Sequence, residues 1–267
     1  MGTPQQGLRF GILGPVVLWH DDREVDLATR PSRTLLARLL LALDRAVHVD
    51  ILIDAVYGSK PPRSARNQIQ KSACELRAKG VELTARDGSY LLSSTPEALD
   101  AEKFGELVDQ ARSLSDPQER ANALRHADSL WRGPTLDRLD ASVFRSAAAE
   151  WDEKRLVAVI ERIEAEMLCH QHRQVIPELR RLIIEHPLNE NLHTLFMIAC
   201  YHAGRISEAA RCYSALRVQL AEEFGIDPPA ALQEVHRMIL RQDPDLIRIT
   251  TLHQVEALAE GALTHAS

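Results

Sequence analysis

The sequence predicts a mainly α protein: an N-terminal α+β winged helix-turn-helix followed by an all-α, tetratricopeptide-like helical domain. Three observations carry that expectation. Short strand patterns, three helical stretches and an Asp87-Gly88 hairpin signal follow one another within residues 8–92. After Ser93-Ser94-Thr95-Pro96 the pattern is helical throughout. Aromatic residues are only 4% of a chain that is 45% hydrophobic, so its core is built from Leu, Ala, Ile and Val, which suits close helix packing. The expected boundaries are 1–95 for the winged helix, 96–246 for the helical domain and 247–267 for a tail without a clear core role.

Leu8 to Trp19 reads as two short strands split by Gly14-Pro15, and Glu24 to Leu27 as a third after the turn Asp21-Asp22-Arg23. Thr29 is placed to cap the next helix, with Pro31 in its first turn and Leu35, Leu36, Leu39, Leu40 and Leu43 at helical spacing. Asp50 is placed to cap a second short helix that buries Leu52, Ile53 and Val56 and ends at Gly58. Pro61-Pro62 bends the chain, and Ser64 is placed to cap a third helix running to about Lys79 and stopped by Gly80. Val81 to Ala85 and Ser89 to Leu92 complete a hairpin.

Helices are expected near 98–114, 117–131, 142–171, 173–185, 189–203, 206–224 and 229–241. The stretches at 173–185 and 206–224 echo one another at an offset close to the ~34-residue tetratricopeptide period. Each starts with an Arg after a helix break (Arg173, Arg205) and ends before a Pro-containing turn (Pro187, Pro228). Trp131 and Trp151 read as core anchors of this half.

The net charge of −6 hides an asymmetry. Residues 1–96 hold 13 Lys and Arg against 10 Asp and Glu, and the rest of the chain holds 19 against 28. Within 59–86 the bases Lys60, Arg63, Arg66, Lys71, Arg77, Lys79 and Arg86 face only Glu75 and Glu82. Local field rather than total charge steers a protein onto phosphates.

Cys74, Cys169, Cys200 and Cys212 form no C-x-x-C pair, which fits buried, reduced thiols in a cytosol. His170 and His172, two residues apart, would diverge by about 200° on one helix, so no metal site is expected at Cys169-His170-Gln171-His172. There is no Walker A sequence and no G-x-S-x-G, and the carboxylate pairs lack a partnering His. The expectation is a non-enzyme with no cofactor and no metal. The polar N-terminus lacks a signal-peptide h-region, and the longest apolar run, Leu39 to Leu43, is too short to span a membrane. The expected location is cytoplasmic and nucleoid-associated.

At 100° per residue, Ile69, Ala73 and Leu76 of the third helix share a face within about 60°. The opposite face presents Asn67, Lys71, Cys74 and Ala78, flanked by Arg63, Gln70, Glu75 and Arg77. Asn and Gln pair bidentately with adenine, and Lys or Arg donates to guanine. Asn67, Gln70, Lys71 and Cys74 are therefore the candidate base contacts. Arg33, Arg63, Ser64, Arg66, Arg77, Lys79 and the hairpin's Arg86 are the candidate phosphate contacts. An ordinary surface helix would carry a similar polar face. The preceding short helix and the following hairpin make a docking geometry of it. Glu75 is expected near the same face, either repelling phosphate or accepting from cytosine N4.

Gly11-Ile12-Leu13-Gly14-Pro15, Ser32-Arg33-Thr34-Leu35-Leu36, Val49 through Gly58 and Pro61 through Arg77 resemble the OmpR-type winged helix of the Streptomyces antibiotic regulatory proteins. The second half resembles the bacterial transcriptional activation domain that accompanies it, at Leu130-Trp131-Arg132-Gly133-Pro134, His186-Pro187-Leu188-Asn189-Glu190, Ala203-Gly204-Arg205, Phe224-Gly225-Ile226-Asp227-Pro228 and Ile239 through Pro244. The resemblance spans about residues 8–245. It implies the small form of the family, without an ATPase or sensor domain, acting as a pathway-specific activator of a secondary-metabolite cluster. It further implies direct repeats in double-stranded promoter DNA, a homodimer on that DNA, and contact with RNA polymerase including the sigma factor. Glu75, the short segment Lys79-Gly80-Val81-Glu82 and the acidic helical half motivate an alternative: an interaction adaptor whose winged helix has lost DNA binding. Control by a small ligand is left open, since no residue pattern selects one.

Overall fold

The computed structural model describes residues 7–257. They divide into two compact units: residues up to 110 with 125–157, and residues 111–124 with 158 onward.

The first unit opens with the antiparallel sheet β1(Leu8–Gly11), β2(Val17–His20) and β3(Arg23–Glu24), paired in that order. Leu8, Phe10 and Leu18 point inward, as the period-2 alternation requires. Asp21 and Asp22 both have positive φ, the geometry of a two-residue type I′ hairpin. β3 is shorter than the expected strand, although Val25 N–H still donates to Leu18 O at 2.8 Å.

Thr29 caps α1(Arg30–Leu40) through the Ser32 N–H, with Pro31 in the first turn as expected. β4(Val47–His48) is a two-residue strand that the sequence reading missed. α2(Val49–Tyr57) is capped by His48 rather than Asp50, because the chain is still extended at His48 and Asp50 already sits in the first turn. α3(Ala65–Ala78) buries Ala65, Ile69, Ser72, Ala73 and Leu76. β5(Leu83–Arg86) and β6(Ser89–Leu92) form the wing, and β4 joins them in the order β4-β6-β5. α1 packs on both α2 and α3.

The same unit includes the start of the helical half. Leu99 bridges to Phe10, and α4(Asp100–Ser113) begins with a buried carboxylate that takes the N–H groups of Ile12 (2.8 Å) and Leu13 (3.1 Å). Arg132 donates to Asp100 at 2.6 Å and to Pro15 O at 2.8 Å, with its guanidinium 4.9 Å from the Trp19 ring centre. Arg132 N–H and Leu136 N–H donate to Leu13 O and Ile12 O. Gly11 is required beside this clasp, since a Cβ there would lie 2.2 Å from the Arg132 guanidinium and 2.7 Å from Trp19. Burial pushes the Asp100 carboxyl above the usual carboxylate range, against the opposing pull of the Ile12 N–H and the Arg132 guanidinium. Trp131 is buried edge-on to Phe104, whose ring also meets Trp151.

All seven expected helices of the second half form, completed by α5(Pro117–Asp128), α6(Ser142–Leu168), α7(His172–Glu185), α8(Glu190–His202), α9(Ile206–Phe224) and α10(Ala230–Arg241). In the second unit α8 packs against α7, α9 and α10, so every residue from Leu192 to Cys200 is buried. His193 Nε2 donates to Pro187 O at 2.9 Å, which leaves Nδ1 to accept from the Cys212 thiol at 3.2 Å. The buried Arg162 pairs with Glu166 and Glu178, each at 2.7 Å. His170 and His172 straddle the α6–α7 turn, and His172 stacks on His202 at 3.9 Å. Among the described residues no His, Cys, Asp and Glu group is arranged to hold a metal ion.

Residues 247–257 have a core role that the sequence reading did not foresee. Ile249 and Val255 are buried, His202 meets Ile249 O at 3.2 Å, and Leu252 N–H donates to Glu164 at 2.6 Å. The four cysteines are free thiols. Cys200 is buried, Cys169 and Cys212 are half-buried, and Cys74 is exposed, which corrects the expectation that all four are buried.

Candidate nucleic-acid interface

α3 is amphipathic in the sense the sequence predicts. Its apolar stripe seats it on α1 and α2, while Asn67, Gln70, Lys71 and Cys74 are all exposed on the other side. Among the described residues, none hydrogen-bonds the side chains of Asn67, Gln70 or Lys71. Such a row presents amide, ammonium and thiol groups at the spacing of successive helical turns. Amides and ammonium groups of this kind complement base edges in a major groove.

The candidate phosphate contacts fall into two sets. Arg63 and Ser64 are exposed at the N-terminal end of α3, and Arg86 is exposed at the wing turn, 3.3 Å from Asp87. The others are engaged within the protein. Arg33 is half-buried and donates to Leu27 O at 3.2 Å. Arg77 donates to Leu83 O at 2.8 Å, fastening the wing to α3, and Lys79 donates to Asp26 O. Arg66 pairs with Asp50 at 2.7 Å. Ser64 makes no side-chain cap to α3; its Oγ accepts from the Gln68 amide at 3.0 Å. A guanidinium keeps further N–H donors when one is used.

Glu75 departs from the expectation that it borders the reading face. It is half-buried and turns inward, accepting from Ser32 Oγ at 2.5 Å and from Ala28 N–H at 3.2 Å. Its carboxylate therefore lies at the N-terminus of α1, where the helix dipole favours negative charge. A helical wheel puts Glu75 at the margin of the polar face, and only the approach of α1 shows which way it leans.

Sequence reasoning also missed two features of this surface. His48 Nδ1 lies 3.3 Å from Asp50, and Val49 N–H donates to the wing's Gly88 O at 2.8 Å, so the start of α2 joins the wing turn to α3. A groove of about 430 Å³ beside them is lined by Asp50, Ile53, Asp54, Pro62, Arg63 and Arg66, among others. These partners come from different elements and leave no periodic signal.

Residues 99–240 match the family described as the bacterial transcriptional activator domain. The chain is 35% identical over 250 residues to the regulatory protein AfsR of Streptomyces coelicolor, covering 91% of this chain and 25% of AfsR. It is 34% identical to the transcriptional regulator RedD of the same organism over 253 residues, covering 90% of this chain and 72% of RedD. The chain thus spans about a quarter of one relative and most of the other. Among solved structures, Mycobacterium tuberculosis EmbR, in complex with a low-affinity phosphopeptide, superposes with a TM-score of 0.82 at 32% identity. That match covers 97% of this chain and 70% of the EmbR chain.

Proposed function

The chain belongs to the bacterial transcriptional activator domain family, and from that membership we propose that it is a sequence-specific, double-stranded-DNA-binding transcriptional activator. The observation that carries the reading is α3: apolar contacts seat one face, and Asn67, Gln70, Lys71 and Cys74 stand exposed on the other, beside a wing whose turn carries the exposed Arg86. In this reading α3 enters the major groove, where Asn67 and Lys71 read base edges. Arg63, Ser64 and Arg86 hold phosphates on either side, joined by the second donors of Arg33, Arg66, Arg77 and Lys79.

Resemblance to the Streptomyces antibiotic regulatory proteins supports the finer reading. The targets are direct repeats at promoters of a secondary-metabolite cluster, bound by two copies of the chain. The helical half then recruits RNA polymerase through surfaces that include its sigma factor, in the cytoplasm and on the nucleoid. Among the described residues no helix is long and apolar enough to cross a membrane. The adaptor alternative loses one of its motives, since Glu75 is occupied by Ser32 and Ala28.

The test is retardation of double-stranded fragments from intergenic regions beside the protein's own gene, titrated against salt. Asn67→Ala and Lys71→Ala each relax base preference, by about 1–3 kcal/mol at the positions read, whereas Arg86→Ala weakens binding to all sequences alike. A folded protein that retards no such fragment at low salt contradicts the reading. Capture of polymerase without any DNA affinity favours the adaptor.

A further inference from the structure

Resting on that reading, we propose that Asp50 is an internal rival of DNA phosphate for Arg66, and so determines how much of the protein's affinity is indifferent to sequence. Arg66 stands in the first turn of α3, next to the base-reading Asn67, where its guanidinium can reach a backbone phosphate. In the free protein that guanidinium donates to Asp50 Oδ1 at 2.7 Å. Asp50 belongs to the first turn of α2, at the positive end of that helix dipole, and its other oxygen lies 3.3 Å from His48 Nδ1. Arg66 thus holds the carboxylate beside the reading helix, while His48 Nδ1 accepts the Asp50 N–H as the cap of α2. Asp54 and Arg63 line the same groove, so the balance of charge there is set by two acids and two bases.

Two consequences follow from charge alone. A phosphate arriving at Arg66 must displace Asp50 or share the guanidinium with it, and a like charge stays close by in either case. The contact therefore contributes less to binding than an unencumbered Arg would. Phosphate contacts are the sequence-blind part of affinity, and each adds about 0.9 to the salt slope. Weakening one of them leaves a larger share of recognition to Asn67, Gln70 and Lys71. The pair is surface-exposed on both sides, which limits the effect to a modest factor.

A double-mutant cycle on a random-sequence duplex of about three helical turns tests this without knowledge of the operator. Affinity is titrated against KCl for the wild type, Asp50→Asn, Arg66→Gln and the double variant, with thermal melts as the folding control. Asp50→Asn is expected to bind about two- to fivefold tighter, with a salt slope steeper by up to about one. Arg66→Gln binds more weakly, and adding Asp50→Asn to it restores nothing. Should Asp50→Asn melt early, Asp50→Ser serves in its place, because His48 and not Asp50 caps α2. Equal tightening in both backgrounds would mean that Asp50 acts only as a diffuse negative charge and would overturn the proposal. No change in either background overturns it as well. A wild type that binds no duplex at low salt removes the functional reading beneath it, an outcome distinct from normal binding with an additive cycle.

Discussion

Glu75 shows how much one side chain's direction decides. Taken from the sequence, an acid on the margin of a reading helix argues against phosphate. In the fold it accepts from Ser32 Oγ and Ala28 N–H and so ties α3 to the N-terminus of α1. Ser32 is completely buried, and once the carboxylate that takes its proton is removed its hydroxyl keeps only the bond from Thr29 Oγ1 at 2.9 Å. Glu75→Ala is therefore expected to lower stability by about 1–3 kcal/mol in a denaturant melt, while leaving base preference as it was. If the variant kept wild-type stability and bound DNA more tightly, Glu75 would belong to the interface after all. Asp50 is the opposite case. It reads as a helix cap in the sequence, and it proves to be the partner of Arg66 while His48 does the capping.

At the scale of elements, the clasp between the N-terminal sheet and the start of the helical half is the feature with most consequence. Asp100 satisfies the Ile12 and Leu13 N–H groups that the Gly11–Val16 turn leaves without strand partners, and Arg132 neutralises the carboxylate. Removing Arg132 strands a buried charge. Arg132→Ala is expected to cost about 2–4 kcal/mol, less than a fully buried pair because Arg132 is itself partly solvated. A melt unchanged by that substitution would show the clasp to be incidental.

Elements with internal periodicity were legible in the sequence. The leucines of α1, the Ile69/Ala73/Leu76 stripe of α3, the Asp87-Gly88 wing turn and the seven later helices all declare themselves through local spacing. β4 did not, because two residues have no period to show. The clasp did not either. Asp100, Arg132 and Ile12 are far apart in the chain, and nothing local to any of them names the others. The same limit explains the site. Which residues line the exposed face of α3 follows from 100° per residue, whereas the acceptors that take up Arg77, Lys79 and Glu75 are supplied by other elements.

On the scale of the whole molecule, charge and titration divide along the chain. The bases cluster at 59–86, and the excess of acids lies after residue 96. The helical unit also holds three histidines whose protonated forms burial disfavours: His172, pushed down to about 4 with further help from His202 and His170, and His193 and His236. An unfolded His titrates near 6.5. Between that value and the lowered folded values the unfolded chain binds more protons, so the stability these groups contribute is full above about pH 6.5 and is lost as the pH falls toward 4. Glu164, raised by burial, works in the opposite sense at the acid end. The thermal midpoint of the helical unit is expected to fall between pH 7 and pH 5, and less steeply in His172→Gln. A midpoint independent of pH over that range would contradict the account.

All three scales meet in one claim, that α3 reads DNA sequence from the face carrying Asn67, Gln70, Lys71 and Cys74. Footprinting of the intergenic DNA beside the protein's own gene, with and without RNA polymerase, tests it most directly. The account predicts protected direct repeats at low salt, a footprint extended by polymerase, and loss of discrete protection in an Asn67→Ala, Lys71→Ala double variant that melts like the wild type. Wild-type protein that is folded yet protects nothing, or a double variant whose footprint is unchanged, would contradict it.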